Sequence, residues 1–156
     1  MSFGLDIDLT VGDVSMFVSA ENIGARTRFG IEKALWRSGK DIKKEFSKQV
    51  LAKNKTGRLY IRKNAAGSRR RHIASAPGET PANRTGFYRK SFGFTVAAYD
   101  NLIIGNTAPY AGWLEKGTKN KSGGTRMAAR PGLLNSINAS QRDILRNLSK
   151  GIESAL

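Results

Sequence analysis

Arg69, Arg70 and Arg71 stand in a row with His72 after them, in a stretch flanked by Gly67 and Gly78. Three guanidinium groups in a glycine-flanked segment can hold phosphates without reading bases. They can equally meet an acidic protein surface or stay solvated. His72 is the chain's one histidine. A Ser-His-Asp relay would have to use it, and the adjacent cations would oppose the imidazolium such a relay forms. One histidine also leaves no multi-histidine metal site, and the absence of cysteine removes disulfides, thiolate zinc sites and cysteine nucleophiles. Glu115, beside Lys116, has no second carboxylate within several positions, so it reads as a solvated pair or an arginine's partner rather than a general acid. No glycine-rich loop of the Walker or dinucleotide type is present. No enzyme, no metal and no cofactor is expected.

The charge around these residues is uneven. The 156 residues carry a formal +15, with 27 Lys and Arg against 12 Asp and Glu. Residues 1–20 hold Asp6, Asp8 and Asp13 and no Lys or Arg, whereas residues 56–91 hold nine basic residues against Glu79 alone. Hydrophobic residues make up 39% and 17 residues are glycine, as in a soluble domain with long loops. The length suits a single domain over 1–156. No apolar run reaches the ~18 residues of a membrane helix. MSFGLDIDL lacks the basic start and unbroken apolar stretch of a signal peptide, so a chain made and kept in the cytosol, or in something assembled there, is expected.

Phe3, Leu5, Ile7, Leu9 and Val11 alternate with small or polar residues and predict a strand ended by Gly12 and Asp13. A helix is expected from an N-cap at Asn22 to about Lys53, with Ile31, Leu35, Ile42, Phe46 and Val50 within about 100° of arc. Phe29 and Trp36 fall on a neighbouring face, which is either a widened core stripe or a surface that meets another subunit. Leu59, Tyr60 and Ile61 predict a short strand. Residues 63–86, with Gly67, Pro77, Gly78, Pro81 and Gly86, are expected to be an extended, mobile loop. A hairpin follows, from about 91–98 to 101–106, joined by Asp100-Asn101. A short helix through PYAGWLEKG should stop at Gly117, and its Tyr110, Trp113 and Leu114 fall within one turn, either packing on the sheet or meeting a neighbour. Residues 118–129 read as a second basic loop, and Pro131 as the first residue of a terminal helix. Leu133, Ile137, Ile144, Leu145, Leu148, Ile152 and Leu156 share about 140° of that helix. The expected class is α+β, with a long N-terminal and a C-terminal helix packed on a small antiparallel sheet, plus long basic loops.

Three segments, TGRLYIRK (56–63), HIASAPGETPANRTGFYRKS (72–91) and PYAGWLEKGTKNKSGGTRMAARPGLL (109–134), resemble the neck or tail-completion proteins of long-tailed bacteriophages in content, order and spacing. With the long helix, the resemblance covers about residues 23–150. The chain departs from that family at Phe87-Tyr88, where relatives tend to carry a leucine a step or two later, and at Gly132, where an aromatic is common after the ARP. The resemblance implies a structural virion protein without catalytic activity. It would be assembled in the host cytoplasm into a homo-oligomeric ring, a hexamer in that family, at the head–tail junction. Its partners there would be further copies of itself, the head-completion or adaptor proteins, and the tail terminator or tail tube, with genomic DNA passing non-specifically through the channel. The same features fit a tail terminator capping the tube.

On this basis Phe29, Trp36, Tyr110, Trp113, Glu115 and Arg130 are assigned to the assembly interface. Arg69, Arg70, Arg71, Lys119, Lys121 and Arg126 are assigned to contact with DNA or an acidic partner. A stand-alone basic nucleic-acid-binding protein would use the same cations. Against it, the chain has no RNA-recognition strand signature, no zinc-finger spacing and no convincing helix-turn-helix.

Overall fold

The computed structural model describes residues 4–9, 13–19, 24–63, 65 and 67–154. The elements run in the order β1 (Gly4–Leu9), β2 (Asp13–Ser19), α1 (Ala25–Leu51), β3 (Leu59–Lys63), β4 (Arg69–Ile73) and α2 (Phe87–Lys90). They continue as β5 (Phe92–Ala98), β6 (Asn101–Asn106), α3 (Ala111–Lys116), β7 (Thr118–Lys119), β8 (Thr125–Met127) and α4 (Gly132–Glu153). The class is α+β, as expected. An antiparallel sheet in the order β1-β2-β6-β5 is joined by two separate hairpins, β3–β4 and β7–β8.

The apolar face of α1 is fully buried through Ile31, Leu35, Ile42, Phe46 and Val50, and Leu133, Ile137 and Ile144 of α4 meet it. Each such side chain contributes about 1.5–3 kcal/mol of transfer free energy. The two helices approach so closely that a Cβ on Gly151 would run into the Gly30 carbonyl oxygen and lie 2.9 Å from the Ala34 Cβ. On its other side α1 lies on β5 and β6, whose Phe92, Leu102 and Ile104 are buried. The expectation that both helices pack on the sheet is therefore corrected: α4 packs chiefly along α1, which stands between it and β5–β6. Leu145 also leaves the core, at 55% exposure, because it sits at the edge of the arc whose centre is covered.

Further differences follow from turn chemistry. Asp13 opens β2 rather than closing a lone strand, and Val14 to Ser19 pair back on β1. Phe3, Val11, Gly12, Asn22 and Leu156 lie outside the described residues. The loop expected over 63–86 contains β4. Two five-residue runs flank a turn in which Gly67 takes φ 78°, so Arg69–Ile73 folds back on Leu59–Lys63 and the irregular stretch shortens to 74–86. The second basic loop likewise closes into β7–β8. Pro131 stands at the N-cap position without a capping hydrogen bond, and the helix starts at Gly132. The β5–β6 hairpin and the stop at Gly117 stand where expected.

Candidate assembly surface: a basic hairpin arm and the cleft at its root

Leu59, Tyr60 and Ile61 are consecutive in β3 and Ile73 ends β4, in a register that pairs Leu59 with Ile73, Tyr60 with His72 and Ile61 with Arg71. Between Arg58 and Ile73 the chain has Arg58, Arg62, Lys63, Arg69, Arg70 and Arg71 and no carboxylate. The two strands pack chiefly on each other, and the four apolar side chains stay 44–56% exposed. A lone two-stranded hairpin is marginal in water. What holds this arm in place is its root.

The ladder extends past the strands through Gly57 N–H to the Ala74 carbonyl and Ala74 N–H to the Arg58 carbonyl, both at 3.0 Å. Glu79 then clamps the two sides together. Its carboxylate accepts the Thr56 hydroxyl at 2.6 Å, the Ala76 N–H at 2.8 Å and the Thr56 N–H at 3.3 Å. The Thr56 hydroxyl and the Ala76 N–H hold the Glu79 carboxyl below its ordinary range. Arg130 donates from Nε to the Ser75 carbonyl at 2.9 Å, Asn135 of α4 to the Gly78 carbonyl at 2.9 Å, and Thr80 to the Gln49 side chain of α1 at 2.8 Å. Lys55 donates to the Gln49 carbonyl at 3.0 Å, and burial lowers its pKa although Glu79 works the other way. The base is fixed to both long helices.

A cleft of about 580 Å³ opens beside the root, lined by Tyr60 and His72 of the arm, Arg84 and Phe87, and Tyr110 and Arg130 among others; among the described residues no carboxylate lines it. Phe87 and Tyr110 are partly exposed, with ring centroids 6.4 Å apart, and Tyr110 stacks near Tyr88 at 6.2 Å. Behind this wall the Tyr88 hydroxyl donates to Glu115 Oε1 at 2.9 Å, and the same oxygen accepts the Gly132 and Leu133 N–H groups at 2.9 and 2.8 Å. Burial raises the Glu115 pKa against the lowering effect of these donors, and burial with the Glu115 charge raises that of Tyr88, so the phenol stays protonated. Glu115 is neither a solvated pair nor an arginine's partner. It caps α4 from a distance, which reserves it for the fold.

The other assigned residues are dispersed. Tyr110 and Arg130 share the cleft, whereas Trp113 is 62% exposed on α3, beside a separate depression lined by Asn106, Pro109 and Lys116. Phe29 is 68% exposed; Trp36 lies edge-on to Phe94 with centroids 5.4 Å apart, and is 43% exposed. They occupy the N-terminal half of α1, and Phe29 is about 30 Å of helix from Val50, near which the arm is rooted. Lys119, Lys121 and Arg126 are exposed on the β7–β8 hairpin.

Sequence reasoning missed the apolar strip of the arm and the residues Arg84 and Phe87. The available signal was the repeat of two short runs, LYIRK and RRRHI, around Asn64-Ala65-Ala66-Gly67-Ser68. The arrangement can bind: it offers guanidinium groups and aromatic faces to a partner carrying negative charge and apolar surface. Among the described residues no group of three His, Asp or Glu is placed to hold a metal ion, and no helix is long and apolar enough to cross a membrane. Compared with known proteins, the chain matches no family model, no curated protein and no solved structure.

Proposed function

We propose that the protein is a structural component of a phage virion that forms a homo-oligomeric ring at the head–tail junction, joining the portal-adaptor side to the tail tube around the DNA path. The observation that carries this is the β3–β4 arm: anchored at its root, exposed along its length, rich in cations and edged with Leu59, Ile61 and Ile73. Such an element gains stability by seating on another molecule. The three segments that resemble neck proteins also converge in space, since residues 56–63, 72–91 and 109–134 all contribute to the cleft at the arm's root. A head-to-tail contact between copies of one small domain generates a ring where its rotation closes.

The test is direct imaging with a charge variant. Light scattering and negative-stain images of the purified protein, alone and with tail tubes or portal-bearing heads, should show rings or decorated particles. In phage assembled with Arg69, Arg70 and Arg71 all changed to Ser, separated heads and tails are the expected product if the arm grips protein. Intact virions with altered DNA retention would instead place the arm in the channel. A protein that stays monomeric, decorates no particle and shifts short DNA with a steep salt slope would be a stand-alone nucleic-acid binder.

A further inference from the structure

We infer that the β3–β4 arm of one copy seats on the N-terminal β1–β2 hairpin of a second copy, a head-to-tail contact that uses two different surfaces of the same chain. The inference rests on the ring reading and names its contact. The first ground is charge. The arm carries six cations and no carboxylate between Arg58 and Ile73, and residues 1–20 carry Asp6, Asp8 and Asp13 and no cation. Elsewhere the carboxylates are largely engaged at home. Asp41 accepts from Asn147, Glu45 from Lys48 and Gln49, Glu79 from the arm's root, Glu115 from α4, and Asp143 from Arg146. By sequence, residues 1–20 are the stretch of this chain in which three carboxylates stand with no Lys or Arg among them.

The second ground is topology. Among the described residues β1 is an edge strand paired with β2 alone, and β3 and β4 pair with each other alone, so each hairpin has a ladder edge to which no described strand is paired. Among the described residues the arm and the β1–β2 hairpin make no substantial packing contact within one chain, so an arm–hairpin contact falls to a neighbour. The third ground is the apolar strip. Leu59, Ile61 and Ile73, at 48%, 56% and 44% exposure, gain nothing from a phosphate backbone, whereas a strand added at the edge of β1 would meet a sequence with Leu5, Ile7 and Leu9 at alternate positions and Asp6 and Asp8 between them. Arm-to-arm docking would set six cations against six, which the charge disfavours. Because the two surfaces differ, the contact is heterologous, and it propagates from copy to copy, giving a ring where its rotation closes.

The experiment uses the full chain with a photo-crosslinking amino acid at Ile61, followed by mass mapping, together with native mass spectrometry of charge variants. Crosslinks from position 61 to peptides within residues 4–19 of a second copy support the inference. Arg62 and Arg70 alternate with the apolar strip as Asp6 and Asp8 alternate with Leu5, Ile7 and Leu9. Arg62→Glu with Arg70→Glu should therefore cut assembly at least tenfold in concentration dependence, Asp6→Lys with Asp8→Lys should do the same, and the four changes together should recover much of the loss. Rings that form with crosslinks mapping elsewhere, or that survive the arm variant unchanged, overturn this contact while leaving the ring reading intact. A chain that never associates at any concentration or on any particle, and whose arm crosslinks to DNA, overturns both.

Discussion

The Tyr88 hydroxyl and the Glu115 carboxylate meet at 2.9 Å over the first turn of α4, 27 residues apart in sequence. The helix has no side-chain cap of its own, because Pro131 at the N-cap position offers no acceptor. Glu115, reaching from α3, takes two of the orphan N–H groups and brings a negative charge to the positive end of the helix. One carboxylate oxygen thereby ties α2, α3 and α4 together beneath the cleft.

Glu115→Ala should accordingly destabilise the fold by about 1–3 kcal/mol, since it strands buried donors as well as removing an acceptor. Glu115→Gln keeps an acceptor oxygen and should lose less. Urea unfolding monitored by Trp fluorescence would measure both; an Ala variant with an unchanged midpoint would mean that water serves α4 as well as Glu115 does.

The two unusual carboxyls predict opposite pH dependences. Burial raises Glu115 above its ordinary 4.5, so the folded state holds this proton more tightly than the unfolded chain. Its contribution is complete at low pH and declines as pH rises from the unfolded value through the raised folded one. Glu79 is lowered from 4.5, so its contribution is present above that value and is lost as pH falls through the depressed one. Stability against pH should therefore lose part of its decline on raising pH above 4.5 in Glu115→Gln and part of its decline on lowering pH below 4.5 in Glu79→Gln. Reversed effects in the two variants would contradict the assignment.

Gly117 has φ 73°, and a Cβ there would sit 2.5 Å from the Met127 carbonyl oxygen and 2.9 Å from the Ala129 nitrogen. Gly117→Val faces both the left-handed conformation and backbone atoms that cannot step aside, and should cost about 2 kcal/mol or more. Gly151→Ala should cost about 1–3 kcal/mol by prising α4 from α1. Thermal melts would register either; a wild-type Tm for Gly117→Val would mean that the α3 stop tolerates a side chain.

Phe29 and Trp36 are separable by experiment. Trp36 leans on Phe94, so Trp36→Ala should lose about 0.5–1.5 kcal/mol while still folding cooperatively. Phe29, at 68% exposure, should change monomer stability by no more than about 0.5 kcal/mol when replaced by Ala. If Phe29→Ala leaves the melt untouched but reduces assembly in sedimentation velocity, that end of α1 is a subunit contact; equal assembly removes it from the interface.

How much was legible in the sequence follows from how local each feature is. The helical period of Ile31, Leu35, Ile42, Phe46 and Val50 announced α1 and its buried face, and Asp100-Asn101 and Gly117 announced a hairpin and a helix stop, because these depend on neighbours within a few positions. Leu145 shows the limit of that logic. Periodicity names the apolar side of a helix but not how wide a strip its partner covers. The same limit explains β4, where three consecutive arginines mask a strand that is stabilised by pairing with Leu59–Lys63 rather than by its own pattern.

The sequence by itself determined the α+β class, the two long amphipathic helices, the central hairpin and the separation of an acidic N-terminus from a basic middle. Only the tertiary structure decided that Glu115 belongs to α4, that Glu79 clamps Thr56 to Ala76, and that Tyr60 and His72 share a cleft with Tyr110 and Arg130. A hydrogen bond depends on two atoms meeting within about 3 Å at a favourable angle. Residues 17 to 23 positions apart, such as Glu115 and Gly132 or Thr56 and Glu79, acquire that geometry only after the helices have packed.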